Sequence, residues 1–181
     1  MLKKILIVVD DRPSSQIAIR TGIDLAKDHQ ASILFFHPYQ SHVFPGSDLM
    51  PALAIDPEEL RSKESAKAHK LLTAASKQAE LAGVPSARAS GSGLDSSQCV
   101  ADAAYTRHCD LIVVGTEGRS ALMRLIKGSM VPGLISWADV PVLVCREAPR
   151  GASMSRRANA AMKARERKRE LIERRRREAN D

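Results

Sequence analysis

Residues Asp110 to Ser129, DLIVVGTEGRSALMRLIKGS, constrain the fold more than any other stretch of this chain. Leu111 to Gly115 form an unbroken apolar run, mostly β-branched, that stops at a glycine. That is the pattern of a strand buried on both faces, and such strands belong to parallel sheets covered by helices. Gly118 follows, and Gly128-Ser129 precede the next apolar segment. Glycines let backbone N–H groups approach an anion with no Cβ in the way. A helix opening at Ser129 would add unpaired N–H groups, a positive dipole end and a hydroxyl. The stretch suits a phosphate site, although a strand–glycine–loop junction also occurs in many α/β proteins without a nucleotide. Leu122, Leu125 and Ile126 are spaced like one helical turn inside the loop.

The remaining pattern alternates strands with helices. Ile5 to Val9 is a second doubly buried run, ending at Asp10-Asp11. Pro13 and Ser14 carry the start signals of a helix, Ser14 as its hydroxyl cap, and Ile17, Ile19, Ile23, Leu25 and Ala26 form its apolar stripe. Ala31 to Phe36 reads as a strand terminated by His37-Pro38. Pro57 to Leu81 reads as a helix with acid in its first turn and Gly83 as its C-cap. Val84 to Ser90 reads as an edge strand, since Pro85 has no N–H for a central ladder. Gly91 to Gly93 read as a turn, Asp95 to Ser97 as a cap, and Val100 to Tyr105 as a short helix. Val140 to Val144 is the fifth strand. The alternation predicts a doubly wound five-stranded parallel sheet, an α/β, Rossmann-like architecture. Asp10 and His37 both stand at carboxyl ends of strands, where open α/β sheets take ligands. An ordinary turn would place the same residues there, and His37 is assigned no catalysis.

Spacing carries the reading further. Gly115, Gly118 and Gly128-Ser129 have two and then nine residues between them. With Lys3 to Asp10, Asp110 to Gly115 and Pro141 to Val144, they resemble the ATP-binding branch of the universal stress protein family, over about residues 1 to 146. The resemblance implies the adenine nucleotide alpha hydrolase-like form of the fold. It implies ATP, with or without Mg2+, as the bound cofactor. Asp10 would contact the adenine end and the backbone at His37 would meet the base. Gly115, Gly118, Gly128 and Ser129 would cradle the phosphates, with Lys127 the best placed of the loop's cations to neutralise them. A homodimer through Val140 to Val144 is implied as well. At one position the chain departs from the pattern: where the family commonly has a hydroxyl two residues after the loop serine, Val131 stands here.

Charge separates the chain into two parts. From Arg150 onward lie 12 of the 28 Lys and Arg and 5 of the 21 Asp and Glu, so the body holds 16 of each and the net +7 belongs to the tail. The expected organisation is a nucleotide-binding domain over 1–149 and a basic extension over 150–181, helical in part or disordered. The tail reads as a solvated extension or as an arm for non-specific nucleic acid contact. Cys99, Cys109 and Cys145 are odd in number and lack a C-x-x-C pairing, which fits a reducing cytoplasm and suggests no zinc site. No run approaches the roughly 20 apolar residues of a membrane span. No Walker motif, H-E-x-x-H or G-x-S-x-G elbow occurs, and no paired carboxylates flank the glycines. The expected function is a stress-associated regulatory protein that binds ATP without dedicated catalysis. An ATP-using enzyme, such as a slow ATPase or a phosphotransferase, is the alternative.

Overall fold

The computed structural model describes residues 1–40, 57–116 and 130–146. Five strands, β1 (Lys4–Val8), β2 (Ser32–Gln40), β3 (Ser86–Gly93), β4 (Leu111–Thr116) and β5 (Val142–Arg146), form one parallel sheet in the order β3-β2-β1-β4-β5. The described helices are α1 (Pro13–His29), α2 (Pro57–Leu81), α3 (Ser96–Thr106) and α4 (Met130–Trp137). Right-handed crossovers dictate where they lie. From β1 to β2 to β3 the chain steps one way across the sheet, so α1 and α2 share a face. From β3 it returns past β1 to β4 and β5, so α3 and α4 cover the opposite face.

The alternation of side chains along β1 feeds both layers. Ile5, Ile7 and Val9 pack with Phe35, Val113 and the stripe of α1 and α2. Leu6 and Val8 pack with Phe36, Ile112, Val100 of α3 and Leu134 of α4. Each strand buried on both sides therefore needs apolar side chains at consecutive positions, and this is the physical origin of the unbroken runs. On α2 the buried positions are Ala68, Leu72, Ala75 and Ala79, a helical stripe of small residues that lets the helix lie close to the sheet. None of its described residues before Ala68 is buried.

Several expected boundaries move. β2 does not stop at His37-Pro38 but runs on to Gln40 alongside β3, which itself includes Gly91 to Gly93 rather than turning there. Pro38 is tolerated because its nitrogen faces the same side as Phe36, whose carbonyl accepts the Val9 N–H at 2.8 Å, and β1 has ended by that point. Pro85 precedes β3, and its carbonyl accepts the Ile33 N–H. β5 begins at Val142, two residues later than the apolar run suggested. α1 is capped by Arg12 without a side-chain bond, and Ser14 is instead buried inside the first turn. Gly83 and Asp95 close and open their helices as expected, with Val84 N–H on Ala79 O and the Ser97 N–H on the Asp95 carboxylate.

At the amino end of the sheet, Asp110 accepts the backbone N–H groups of Lys3 at 2.7 Å and Lys4 at 2.9 Å. These bonds hold its carboxyl below the usual aspartate value. A carboxyl with a depressed pKa in the folded state stabilises the fold above its unfolded pKa and ceases to as pH falls through the folded one. Asp110→Ala is expected to lower stability by about 1 kcal/mol at neutral pH, a charge-assisted bond discounted for exposure. The difference from wild type should shrink below about pH 4, and urea denaturation at neutral and acid pH measures it.

Candidate functional site

β1 lies between β2 and β4, and the chain leaves it in opposite directions on the two sides. Crevices in open α/β sheets form at such a reversal, outside the carboxyl ends of the strands. A cleft of about 570 Å³ lies against this point, within the range of about 300–1,000 Å³ common to small-molecule sites. Its walls are the turn after β1 (Asp10, Asp11, Arg12), the end of β2 (His37, Pro38, Tyr39), Glu64 and Lys67 of α2, and the start of α3 (Asp95, Ser96, Ser97). Met130 and Gly133 of α4 also line it.

Asp10 and His37, expected at strand ends, meet in this cleft. His37 is buried, and its Nδ1 lies 2.6 Å from the Val9 carbonyl. A carbonyl only accepts, so Nδ1 carries the proton and Nε2 is the acceptor in the neutral ring. The bond also ties the end of β1 to the part of β2 that outruns it. The Asp10 N–H donates to Ser15 Oγ at 3.0 Å. Its carboxylate accepts the Arg12 N–H at 2.9 Å on Oδ1 and Arg12 Nε at 2.8 Å on Oδ2, with the Arg12 guanidinium closing the pair through a second nitrogen. Asp11 reaches across to Lys67 of α2 at 2.7 Å. The Lys67 hydrogen bond holds the Asp11 carboxyl below its usual value, and Asp11 raises Lys67 in return. Both groups are largely exposed, so the pair positions α2 more than it stabilises the fold. At the opposite wall, the Ser97 hydroxyl and N–H bind Asp95 and lower its pKa.

Gly115 lies in β4, at the carboxyl end expected of it, but its missing side chain already has a use. A Cβ there would stand 2.3 Å from the Ser14 carbonyl oxygen, so the first turn of α1 rests directly on β4. Gly118, Lys127, Gly128 and Ser129 lie outside the described residues. Sequence reasoning missed Arg12, Tyr39, Glu64 and Lys67 and read Asp95 to Ser97 only as a cap. A fork-shaped donor two residues after Asp10 was a usable signal for Arg12. Lys67 had none, because its place depends on how far α2 extends past its packed stripe. Glycine costs about 1 kcal/mol relative to alanine inside a helix, and Gly133 of α4 has a packing reason: a Cβ would stand 2.1 Å from Ser97 Oγ, so the glycine lets α3 and α4 meet beneath the cleft.

Among the described residues no group of three or more His, Cys, Asp or Glu is arranged to hold a metal ion, and no helix is long and apolar enough to cross a membrane. A five-stranded parallel sheet with helices on both faces and a polar cleft at its switch point defines an α/β protein of the Rossmann-like class. The model of the universal stress protein family matches residues 1–146, and the chain belongs to that family. It is 28% identical to universal stress protein YxiE of Bacillus subtilis over 151 residues, 81% of this chain and all of the relative. Among solved structures it is similar to the universal stress protein UspA from Lactobacillus plantarum, with a TM-score of 0.67, 23% identity and 80% and 98% of the two chains covered. A universal stress protein family protein from Arabidopsis thaliana with AMP bound aligns with a TM-score of 0.59 and 17% identity over 84% and 96% of the chains.

The α3–α4 contact supplies a test of how the floor of the cleft is built. Gly133→Ala gains up to about 1 kcal/mol of helix propensity but forces Ser97 off Asp95, for an expected net loss of about 1–2 kcal/mol. In a Ser97→Gly background the same substitution should cost nothing. Urea denaturation of the double-mutant cycle measures the coupling, and equal costs in both backgrounds would remove this contact as the reason for the glycine.

Proposed function

We propose that this protein is a stress-associated regulatory module that binds an adenine nucleotide, ATP foremost, in the cleft at the end of β1, without dedicated catalysis. The observation that carries the reading is the convergence of Asp10 and His37, from different strands, on one cleft of suitable size at the switch point. Family membership supports it, as does the AMP bound by the Arabidopsis relative. The residues present fit the ligand. Asp10 offers a carboxylate to the N–H or O–H groups of the adenosine end, and the extended end of β2 offers backbone groups beside the base. The phosphates would run toward 115–129, where Gly115, Gly118, Gly128 and Ser129 supply N–H groups and a hydroxyl and Lys127 supplies charge. Mg2+ would arrive with the triphosphate.

Such binding regulates by biasing the protein's conformation or assembly. A homodimer paired along β5 belongs to the same reading. Among the described residues β5 pairs only with β4, and Val144 is exposed. A reducing, cytoplasmic setting agrees with three unpaired cysteines, two of them buried. The residues 150–181 are read as an extension outside this module.

Calorimetry of the full chain with AMP and with Mg-ATP tests the proposal. Binding at micromolar to millimolar ligand is expected, weakened at least tenfold by Asp10→Ala, since a hydrogen bond to a charged group contributes about 1.5–3 kcal/mol. Phosphate release from ATP should stay near the uncatalysed background. Sustained turnover abolished by Ser129→Ala would favour the enzyme instead, and absence of any binding heat would overturn the proposal.

A further inference from the structure

Past the end of β1, β2 continues with one backbone edge free, and the sequence decides what that edge can offer. Along a strand the N–H and C=O of successive residues point alternately to its two sides. Ile33 donates to the Pro85 carbonyl on the β3 side, and Phe36 accepts from Val9 on the β1 side. Pro38 therefore directs its backbone groups toward the β1 side, two residues beyond that last bond. Proline has no N–H, so the edge carries a carbonyl alone there. The turn after β1 does not take it. The Val9 N–H goes to Phe36, that of Asp10 to Ser15 and that of Arg12 to Asp10, while the Asp11 N–H serves its own carboxylate. Pro38 is buried and lines the cleft.

His37 adds a second acceptor at the same place. The residue is 5% exposed, and its ring is held at the end of β1 by the bond from Nδ1 to the Val9 carbonyl. That bond leaves Nε2 with a lone pair, and Nε2 has no hydrogen-bond partner among the described residues. His37 lines the cleft as Pro38 does. A shielded acceptor left unpaired is costly, so both atoms favour a ligand that brings them an N–H.

We propose that Pro38 and His37 make the end of β2 an acceptor-only reader of the base, selecting it for its exocyclic amino group and leaving the neighbouring ring nitrogen unread. The inference rests on the adenine-nucleotide reading above, which sets the base beside the end of β2. Adenine in a nucleotide carries donors at one position only, the two N–H bonds of its 6-amino group, and two acceptors await them. The adjacent N1 is itself an acceptor. A residue other than proline at position 38 would have a backbone N–H to offer it, and proline has none.

Calorimetric Kd values for three ligands test the reader: AMP, purine riboside monophosphate, which lacks the amino group, and 1-deaza-AMP, in which a C–H replaces N1. Wild type is expected to bind AMP at least tenfold more tightly than purine riboside monophosphate, because both acceptors are then left unserved, and to hold 1-deaza-AMP within about twofold of AMP. Pro38→Ala returns an N–H to the edge, so this variant should prefer AMP to 1-deaza-AMP by about fivefold. His37→Phe keeps a ring but removes one acceptor, so the preference for AMP over purine riboside monophosphate should fall about fivefold. The wild-type series decides the case even if a variant fails to fold. Purine riboside monophosphate binding as tightly as AMP, or 1-deaza-AMP binding at least fivefold more weakly, would overturn the acceptor-only reader while leaving the cleft as the nucleotide site. Unchanged ratios in a folded Pro38→Ala or His37→Phe protein would overturn the role of that residue. Absence of AMP binding by wild type would overturn the nucleotide reading itself, and this inference with it.

Discussion

Everything at the carboxyl end of the sheet depends on one geometric constraint: β1 is hydrogen-bonded on both sides, to β2 and to β4, while the chain departs from it in opposite directions. Crossovers of one hand then have to cover opposite faces, and a crevice opens outside the carboxyl end of β1. The burial of Ile5 to Val9 on both faces holds β1 at the centre. The turn that follows must therefore emerge into the crevice, and Asp10 with it. The register adds a second effect. Because β2 continues past the end of β1, His37 comes level with the Val9 carbonyl and locks the two strand ends together.

Around that crevice, close backbone contact and charge pairing perform different tasks. Gly115 and Gly133 remove side chains so that α1 can rest on β4 and α4 can rest on α3. These contacts fix the walls and contribute to the fold whether or not a ligand is bound. The ion pairs are of another kind. Arg12–Asp10 and Lys67–Asp11 are partly or largely exposed, contribute little to stability and can be exchanged at small cost. A rigid frame lined with exchangeable charge pairs is suited to taking up a polar, charged ligand, since the frame needs no rearrangement and the pairs supply partners.

Much of this arrangement is legible in the sequence, and for a physical reason. A strand buried on both faces leaves an unbroken apolar run, so β1 and β4 declare themselves, and the alternation with helical stripes fixes the layered architecture. Asp10 follows from the end of such a run. What the sequence conceals is set by register and length. Proline at position 38 reads as a strand terminator, yet it is harmless where β1 has already ended, so the full reach of β2 and β3 was invisible. Lys67 enters the cleft only because α2 projects beyond its buried stripe, and neither its spacing nor its neighbours record that. Gly115 reads equally well as an anion contact or as a packing contact, and only the position of the Ser14 carbonyl exposes the second use. Gly118, Lys127, Gly128 and Ser129 lie outside the described residues, and their roles are read from the spacing of the glycines and from the family resemblance.

The most direct test of the account is to follow the backbone amide signals of the protein by nuclear magnetic resonance while AMP is added. If the switch-point cleft is the nucleotide site, the amides of Asp10 to Arg12, His37, Tyr39 and Ser96 to Ser97 shift together with a single saturation curve, while those at the amino end of the sheet, near Lys3 and Asp110, stay in place. Shifts that cluster elsewhere, or none at millimolar AMP, would contradict it.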